Sequence, residues 1–284
     1  METLPTSQLH LVKRFLIRPR KRLGQHFIIK EEILDRIVEL CHFQKNDVVV
    51  EIGAGLGGLT TRLAACAETV LAIEKDGELA NLLKTKIIKQ KNVTIVHQDA
   101  LYFDYQLASS KGGRLLKVVG NLPYNIASLL TIELLKKKCI EAMFLMFQKE
   151  VAERITASPG TKEYGFLTIM ANLYAEVAPL LFVGKEAFYP PPKVESTLIQ
   201  FKLLSHPLEA LKNETFFVMV VKSAFAQRRK KLRNALKTLK GADVPSSEIE
   251  KICSETGIDP NRRGETLTVK EFALLSNHLF STLT

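Results

Sequence analysis

Gly120-Asn121-Leu122-Pro123-Tyr124 follows an apolar run ending at Val119, and its residue types suit the rim of a sheet that handles a planar, amine-bearing substrate. Gly120 lets the backbone turn. Pro123 fixes φ and removes a donor, which leaves Asn121 and Tyr124 at the end of the strand, where open α/β sheets bind ligands. The exocyclic amine of a base is a poor nucleophile because its lone pair is delocalised into the ring. Holding both its N–H bonds on two acceptors, the Asn121 side-chain oxygen and the Leu122 carbonyl, would free that lone pair for attack on an electrophile. Tyr124 offers a flat face, and base stacking of this kind is worth roughly 1–3 kcal/mol.

A second chemical stretch lies upstream. Glu51-Ile52-Gly53-Ala54-Gly55-Leu56-Gly57-Gly58 follows a strand-like run and opens a helix-like one. Its glycines allow close backbone approach to a ligand, and the helix start behind it offers free N–H groups. The spacing satisfies both Gly-x-Gly-x-Gly and the dinucleotide pattern, so the loop alone does not choose between cofactors. Glu74, after the next apolar run, is the acid expected on ribose hydroxyls, and Asp99, after the third, is placed to accept from an adenine amine. S-adenosylmethionine suits this set better than a nicotinamide dinucleotide, because the fourth strand ends in an amine clamp and nothing nominates a hydride-handling residue.

The elements that must position these residues are legible as alternation. Short apolar runs at 48–52, 70–73, 93–96, 115–119 and 143–147 alternate with helix-compatible stretches such as 59–67 and 77–89. This predicts an α/β fold with a parallel, doubly wound Rossmann-like sheet. A helix over 166–174 and strands over 177–183 and 197–203 follow. Beyond about residue 206 the strands stop. A single helix over 216–240, with an apolar stripe at Val221, Phe225, Leu232, Ala235, Leu236 and Leu239, and further helices over 248–256 and 269–280 predict a small helical second domain.

The 284 residues, 46% apolar, suffice for one large or two smaller domains. A net charge of +10 points to a polyanionic partner, nucleic acid or an anionic membrane surface. No apolar run reaches the length of a membrane span. The four cysteines, Cys41, Cys66, Cys139 and Cys253, lie far apart, and with scattered histidines they suggest neither a disulfide framework nor a metal site; a reducing cytoplasm is the expected location. Residues 9–30 carry seven cations and no acid, which fits a transit peptide, a basic arm on phosphates or a solvated leader. Gln25 and His26 follow this arm and could reach a ligand. No acid occurs between Glu214 and Asp243, so Arg228, Arg229, Lys230, Lys231 and Arg233 are expected to grip the phosphates of a polyanionic partner.

These motifs, together with Lys21-Arg22-Leu23-Gly24-Gln25-His26-Phe27, Gln148-Lys149-Glu150-Val151, the 188–196 stretch Phe-Tyr-Pro-Pro-Pro-Lys-Val-Glu-Ser and Phe225-Ala226-Gln227-Arg228-Arg229-Lys230-Lys231, resemble the ribosomal RNA adenine dimethyltransferases, closely the bacterial KsgA type. The resemblance runs from about residue 20 to 275. It implies a basic arm over 1–22, an S-adenosylmethionine-dependent class I methyltransferase domain over 23–205 and a helical RNA-recognition domain over 206–284. It also implies that His26, Ile28, Gly53, Glu74, Asp99 and Asn121 line the cofactor site, with His26 where the family usually has Asn. Phe188 would face Tyr124 across the target adenine. The implied substrate is a pair of adjacent adenosines in a hairpin loop near the 3′ end of 16S rRNA in the small ribosomal subunit, with a monomer as the default state. Rival readings are an adenine methyltransferase of the resistance type acting on large-subunit rRNA, a DNA adenine methyltransferase and a non-catalytic RNA-binding assembly factor.

Overall fold

The computed structural model describes residues 7–123, 126–239 and 242–283. Seven strands form one sheet: β1 (Val48–Ile52), β2 (Thr69–Glu74), β3 (Val93–His97), β4 (Leu116–Asn121), β5 (Ile140–Gln148), β6 (Ala175–Val183) and β7 (Ser196–Leu203). Their spatial order is β3-β2-β1-β4-β5-β7-β6. The first five are parallel, and β7 runs antiparallel to β5, with Ala142 opposite Lys202 and Gln148 opposite Ser196. All five residues of β1 are buried, as a central parallel strand covered on both faces requires. Strand order reverses between β1 and β4, which opens a crevice at their C-terminal ends.

The helices are α1 (Gln8–Arg14), α2 (Glu31–Cys41), α3 (Gly58–Cys66), α4 (Gly77–Leu82), α5 (Tyr105–Gly112), α6 (Ala127–Leu135), α7 (Lys149–Ile155) and α8 (Phe166–Tyr174). They are followed by α9 (Glu214–Ala226), α10 (Leu232–Ala235), α11 (Ser246–Glu255) and α12 (Val269–Leu283). None of the described helices is long and apolar enough to cross a membrane. The helix expected over 77–89 stops early: α4 gives way to a π-helical turn at Leu83–Ile87. That turn packs on the glycine loop so closely that a Cβ on Gly57 (φ 77°) would lie 2.8 Å from a Leu83 methyl.

The chain divides into two compact units, 1–152 with 177–203, and 153–176 with 204–284. This differs from the single boundary near 205 expected from sequence, and the reason is α8. Ile169, Met170, Ala171 and Leu173 are all buried, and a helix apolar on every side needs neighbours all round. Within the second unit the Tyr164 hydroxyl donates to the Leu267 carbonyl (2.7 Å), its ring lies 6.1 Å from that of Phe225, and Leu208 N–H donates to Leu173 O (2.7 Å).

The 216–240 helix is also corrected. α9 ends at Ala226, and Gln227 (φ −130°, ψ 63°) turns the chain out of helical geometry. Continuing the helix would stack Arg228 to Lys231 in one turn. Instead Lys231 bridges Arg263 in antiparallel fashion, and the Leu232 and Arg233 N–H groups donate to the Arg262 and Pro260 carbonyls at 2.7 and 3.2 Å. Leu232, Ala235, Leu236 and Leu239 are nonetheless buried, as the apolar stripe implied.

Candidate functional site

The crevice at the C-terminal ends of β1, β2, β3 and β4 is a cavity lined by residues that all belong to the first unit. His26, Ile28, Gly53, Glu74, Asp99 and Asn121 all line it. Glu51, Gly55, Lys75, Gln98, Pro123 and Gln8 join them. The topology explains the convergence: each of the first four strands ends on the same rim, so residues at or just past the strand ends face the same space.

The glycine loop after β1 turns through left-handed conformations at Gly53, Gly55 and Gly57 (φ 79°, 55° and 77°), which side chains rarely adopt. Glu74 braces it. One carboxylate oxygen accepts the Gly55 N–H (2.9 Å) and the other the Asp76 N–H (2.8 Å). Burial raises the Glu74 pKa, and those two N–H groups oppose the rise. Asp99 behaves oppositely: burial works to raise its pKa but is outweighed by the Lys75 ammonium (2.6 Å) and the Leu101 N–H (3.1 Å), which leave it lowered and ionised. The acid expected to meet an adenine amine therefore already holds one cation.

His26 and Asn121 are joined. The Asn121 amide Nδ2 donates to the His26 carbonyl (2.7 Å), while His26 Nδ1 contacts the Pro190 carbonyl (2.7 Å). A carbonyl only accepts, so the amide nitrogen must be the end of Asn121 that meets His26, and His26 must carry a proton on Nδ1. The motif around His26 is fixed by a two-residue antiparallel ribbon in which Phe27 pairs Tyr189 and Ile28 pairs Phe188, extended by Ile29 N–H to the Ala187 carbonyl (2.8 Å). Two motifs far apart in sequence are thus one structural piece. Gln25, which sequence placed near a ligand, also bridges the basic arm to the cap of α4: its Oε1 accepts the Arg20 N–H (2.7 Å) and its Nε2 donates to Asp76 (3.0 Å), which Arg20 also meets at 3.2 Å.

Two expected contacts stand differently. Phe188 is 2% exposed and packs in the core with Val183, Ala187 and Leu198; it is not among the cavity residues, although its pairing partner Ile28 is. The Leu122 side chain is likewise buried, which leaves only its carbonyl for a ligand. Tyr124 lies outside the described residues.

Sequence reasoning missed Gln8, Glu51 as a lining acid and Lys75. Lys75 could have been found as the residue following Glu74. Gln8 carried no signal, because α1 reads as part of a basic leader.

In the second unit the basic run divides into two kinds. Arg228 pairs with Glu265 (3.2 Å) and donates to the Tyr164 carbonyl (3.0 Å), and Arg233 pairs with Glu250 (2.8 Å). These two are internal braces. Among the described residues, the Lys231 ammonium donates to the Asn261 side-chain oxygen (3.1 Å) and makes no ion pair. Arg229 and Lys230 are exposed and make no ion pair among the described residues. The acid-free span was thus a fact of sequence distance, and Glu250 and Glu265 return to it in space.

Comparison with known proteins agrees with this layout. Residues 17–279 match the family model described as ribosomal RNA adenine dimethylase. A protein of Shouchella clausii named ribosomal RNA small subunit methyltransferase A is 41% identical, over 98% of this chain and 96% of its own. A Clostridium botulinum protein of the same name is 39% identical over 96% and 98%. The crystal structure of a dimethyladenosine transferase from Plasmodium falciparum superposes with a TM-score of 0.74 at 24% identity, covering 87% of this chain and 94% of that one, which is a likeness of fold. On the extent of the family match and the identity to full-length relatives, the chain belongs to the ribosomal RNA adenine dimethylase family.

Proposed function

We propose that this protein uses S-adenosylmethionine to dimethylate the N6 atoms of two adjacent adenosines in a hairpin loop near the 3′ end of 16S rRNA, on the small ribosomal subunit and in the cytoplasm. The observation that carries the reading is Asn121: with Nδ2 donating to the His26 carbonyl, its acceptor oxygen is the end left for a substrate amine at the cavity wall. The small-subunit assignment is supported by the names of the 39–41% identical relatives.

The cavity suits the cofactor by its chemistry. A flexed glycine backbone admits close approach, Glu74 and Asp99 offer acceptors to hydroxyl and amine groups, and Ile28, Ala54, Leu56 and Ile73 give apolar walls. The cofactor supplies a methyl group on a cationic sulfur, ready for in-line transfer to nitrogen. The chain's own part is orientation. Asn121 Oδ1 and the Leu122 carbonyl each take one N–H of the adenine amine, which turns its lone pair toward the methyl. Tyr124 stacks on the ring. Alignment of two reactants can lower a barrier by roughly 7–11 kcal/mol. No side-chain base is needed, because the newly methylated amine is a cationic, strongly acidic group that loses its proton to water. A loop adenine is easier to extract from its stack than a paired one, which fits a hairpin target. For the second transfer the monomethylated amine presents its remaining N–H to one acceptor.

The test is transfer of labelled methyl to undermethylated small subunits, with large subunits and duplex DNA as competitors and the product nucleoside identified. Dimethyladenosine in small-subunit RNA is expected. Label confined to large subunits or DNA would retain the cofactor and replace the substrate. Cofactor binding without transfer to any acceptor would favour the assembly-factor reading.

RNA affinity beyond the base is assigned to Arg229, Lys230 and Lys231, with Arg228 and Arg233 contributing field from braced positions. Neutralising the first three together should make the slope of log K against log salt shallower by about 2, at roughly 0.7 per single-strand phosphate contact. Arg228→Ala and Arg233→Ala should instead lower the melting temperature, since the first removes the bonds to Glu265 and the Tyr164 carbonyl and the second the pair with Glu250. An unchanged salt slope in the triple variant would remove the RNA role of this run.

A further inference from the structure

We propose that Gln8 is a cofactor-binding residue that holds the amino-acid end of S-adenosylmethionine, an inference resting on the cofactor reading above. Gln8 is 5% exposed and lines the cavity. Its backbone N–H donates to Glu31 (2.9 Å), but its side-chain amide has no hydrogen-bond partner among the described residues. The side chain of a residue this enclosed that opens on a cavity, with no partner among the described residues, is available to a ligand there.

Its place in the cavity says which part of the ligand. Glu74 at the end of β2 and Asp99 after β3 mark the nucleoside side of the rim, and Asn121 at the end of β4 marks the methyl. The remaining wall is the glycine loop after β1 and the start of α3. Gln8 lies there: a Cβ on Gly58, the first residue of α3, would fall 2.6 Å from the Gln8 Cδ and 2.8 Å from its Oε1. Only glycine at 58 lets the amide come so near.

The position is built rather than incidental. Glu31, which accepts the Gln8 N–H, also accepts from Arg62 (2.8 Å), and Arg62 donates to the Gly58 carbonyl (3.0 Å). One glutamate–arginine pair therefore ties the Gln8 backbone to the first turn of α3. On the other side, Leu11 and Val12 of α1 pack with Phe27, Leu56 and Leu79, so α1 forms a wall over the glycine loop. The ligand chemistry matches as well. The amino-acid end of the cofactor is a zwitterion, and a neutral amide offers a donor to its carboxylate and an acceptor to its ammonium, where a charged side chain would suit only one of the two.

The experiment is calorimetric titration of the full chain with S-adenosylhomocysteine and with 5′-methylthioadenosine, which shares the nucleoside and sulfur but lacks the amino-acid group. Gln8→Ala and Gln8→Met should both weaken S-adenosylhomocysteine about tenfold and leave 5′-methylthioadenosine within twofold of native. Gln8→Met nearly conserves the volume, so it separates a lost hydrogen bond from a disturbed wall. Unchanged S-adenosylhomocysteine affinity in both variants, or equal weakening of both ligands, would overturn the assignment. A native chain that binds neither ligand would instead remove the cofactor reading itself.

Discussion

Asn121→Ala is expected to reduce methyl transfer by about 100- to 1000-fold while lowering cofactor affinity less than about tenfold. The larger figure follows from what the residue does at the reacting centre. A misplacement of about 1 Å costs on the order of 100-fold, and removal of one oriented hydrogen-bonding group at a transition state costs on the order of 100- to 1000-fold. The smaller figure follows from the bond between Asn121 Nδ2 and the His26 carbonyl, which steadies one wall of the cavity and contributes about 1 kcal/mol. Asn121→Asp separates the two effects: it keeps acceptor oxygens but loses the donor and sets a carboxylate against the His26 carbonyl. Single-turnover transfer and cofactor titration, run on both variants, check this. An alanine variant within fivefold of native turnover would mean that the amine is oriented by other groups.

The cofactor crevice was legible because it follows from topology. Central parallel strands are buried on both faces, so β1 reads as the unbroken run Val-Val-Val-Glu-Ile, and residues after such strands share a rim. Glycines at 53, 55 and 57, with Glu74 and Asp99, could therefore be placed without contacts. The His26 assignment rested on resemblance, and what positions it lies 164 residues away at Pro190. Pairings at such distance leave no periodic trace. The same limit hid the brace from Arg228 to Glu265 and the recruitment of α8 to the helical unit. Of the apolar stripe expected over 216–240, Val221, Leu232, Ala235, Leu236 and Leu239 are buried and Phe225 is half-buried, yet a stripe at helical period does not say whether the helix is continuous. Backbone bonds from Leu232 and Arg233 to the 260–262 loop decided that. Phe188 shows the converse: a motif residue expected at a ligand lies in the core, packed with Val183, Ala187 and Leu198.

Glu51 was visible as the first letter of the glycine motif, but its protonation state belongs to the fold. Its side chain is buried near the end of β1, where it accepts, among the described residues, one hydrogen bond, from the Thr60 hydroxyl (2.6 Å). Glu74, the other buried acid of the crevice, holds two backbone N–H groups. Of the two, Glu51 has the weaker support for a negative charge. Burial pushes its pKa up to about 8, with the Thr60 bond opposing and the Glu74 charge adding to the rise. The sign of the consequence is fixed. Between the ordinary carboxylate range and pH 8 the folded chain holds a proton that the unfolded chain has released, so this group makes stability fall as pH rises through that window and contributes no further change above it. At about 1.4 kcal/mol per pH unit the loss approaches roughly 4–5 kcal/mol. Glu51→Gln copies the neutral acid, and its amide oxygen can take the Thr60 bond. The variant without ligand should match the native chain near pH 5 and exceed it by a few kcal/mol near pH 8.5, measured by denaturant unfolding across that range. A difference between the two chains that stays constant with pH would mean that Glu51 is ionised in the fold and that another group supports its charge.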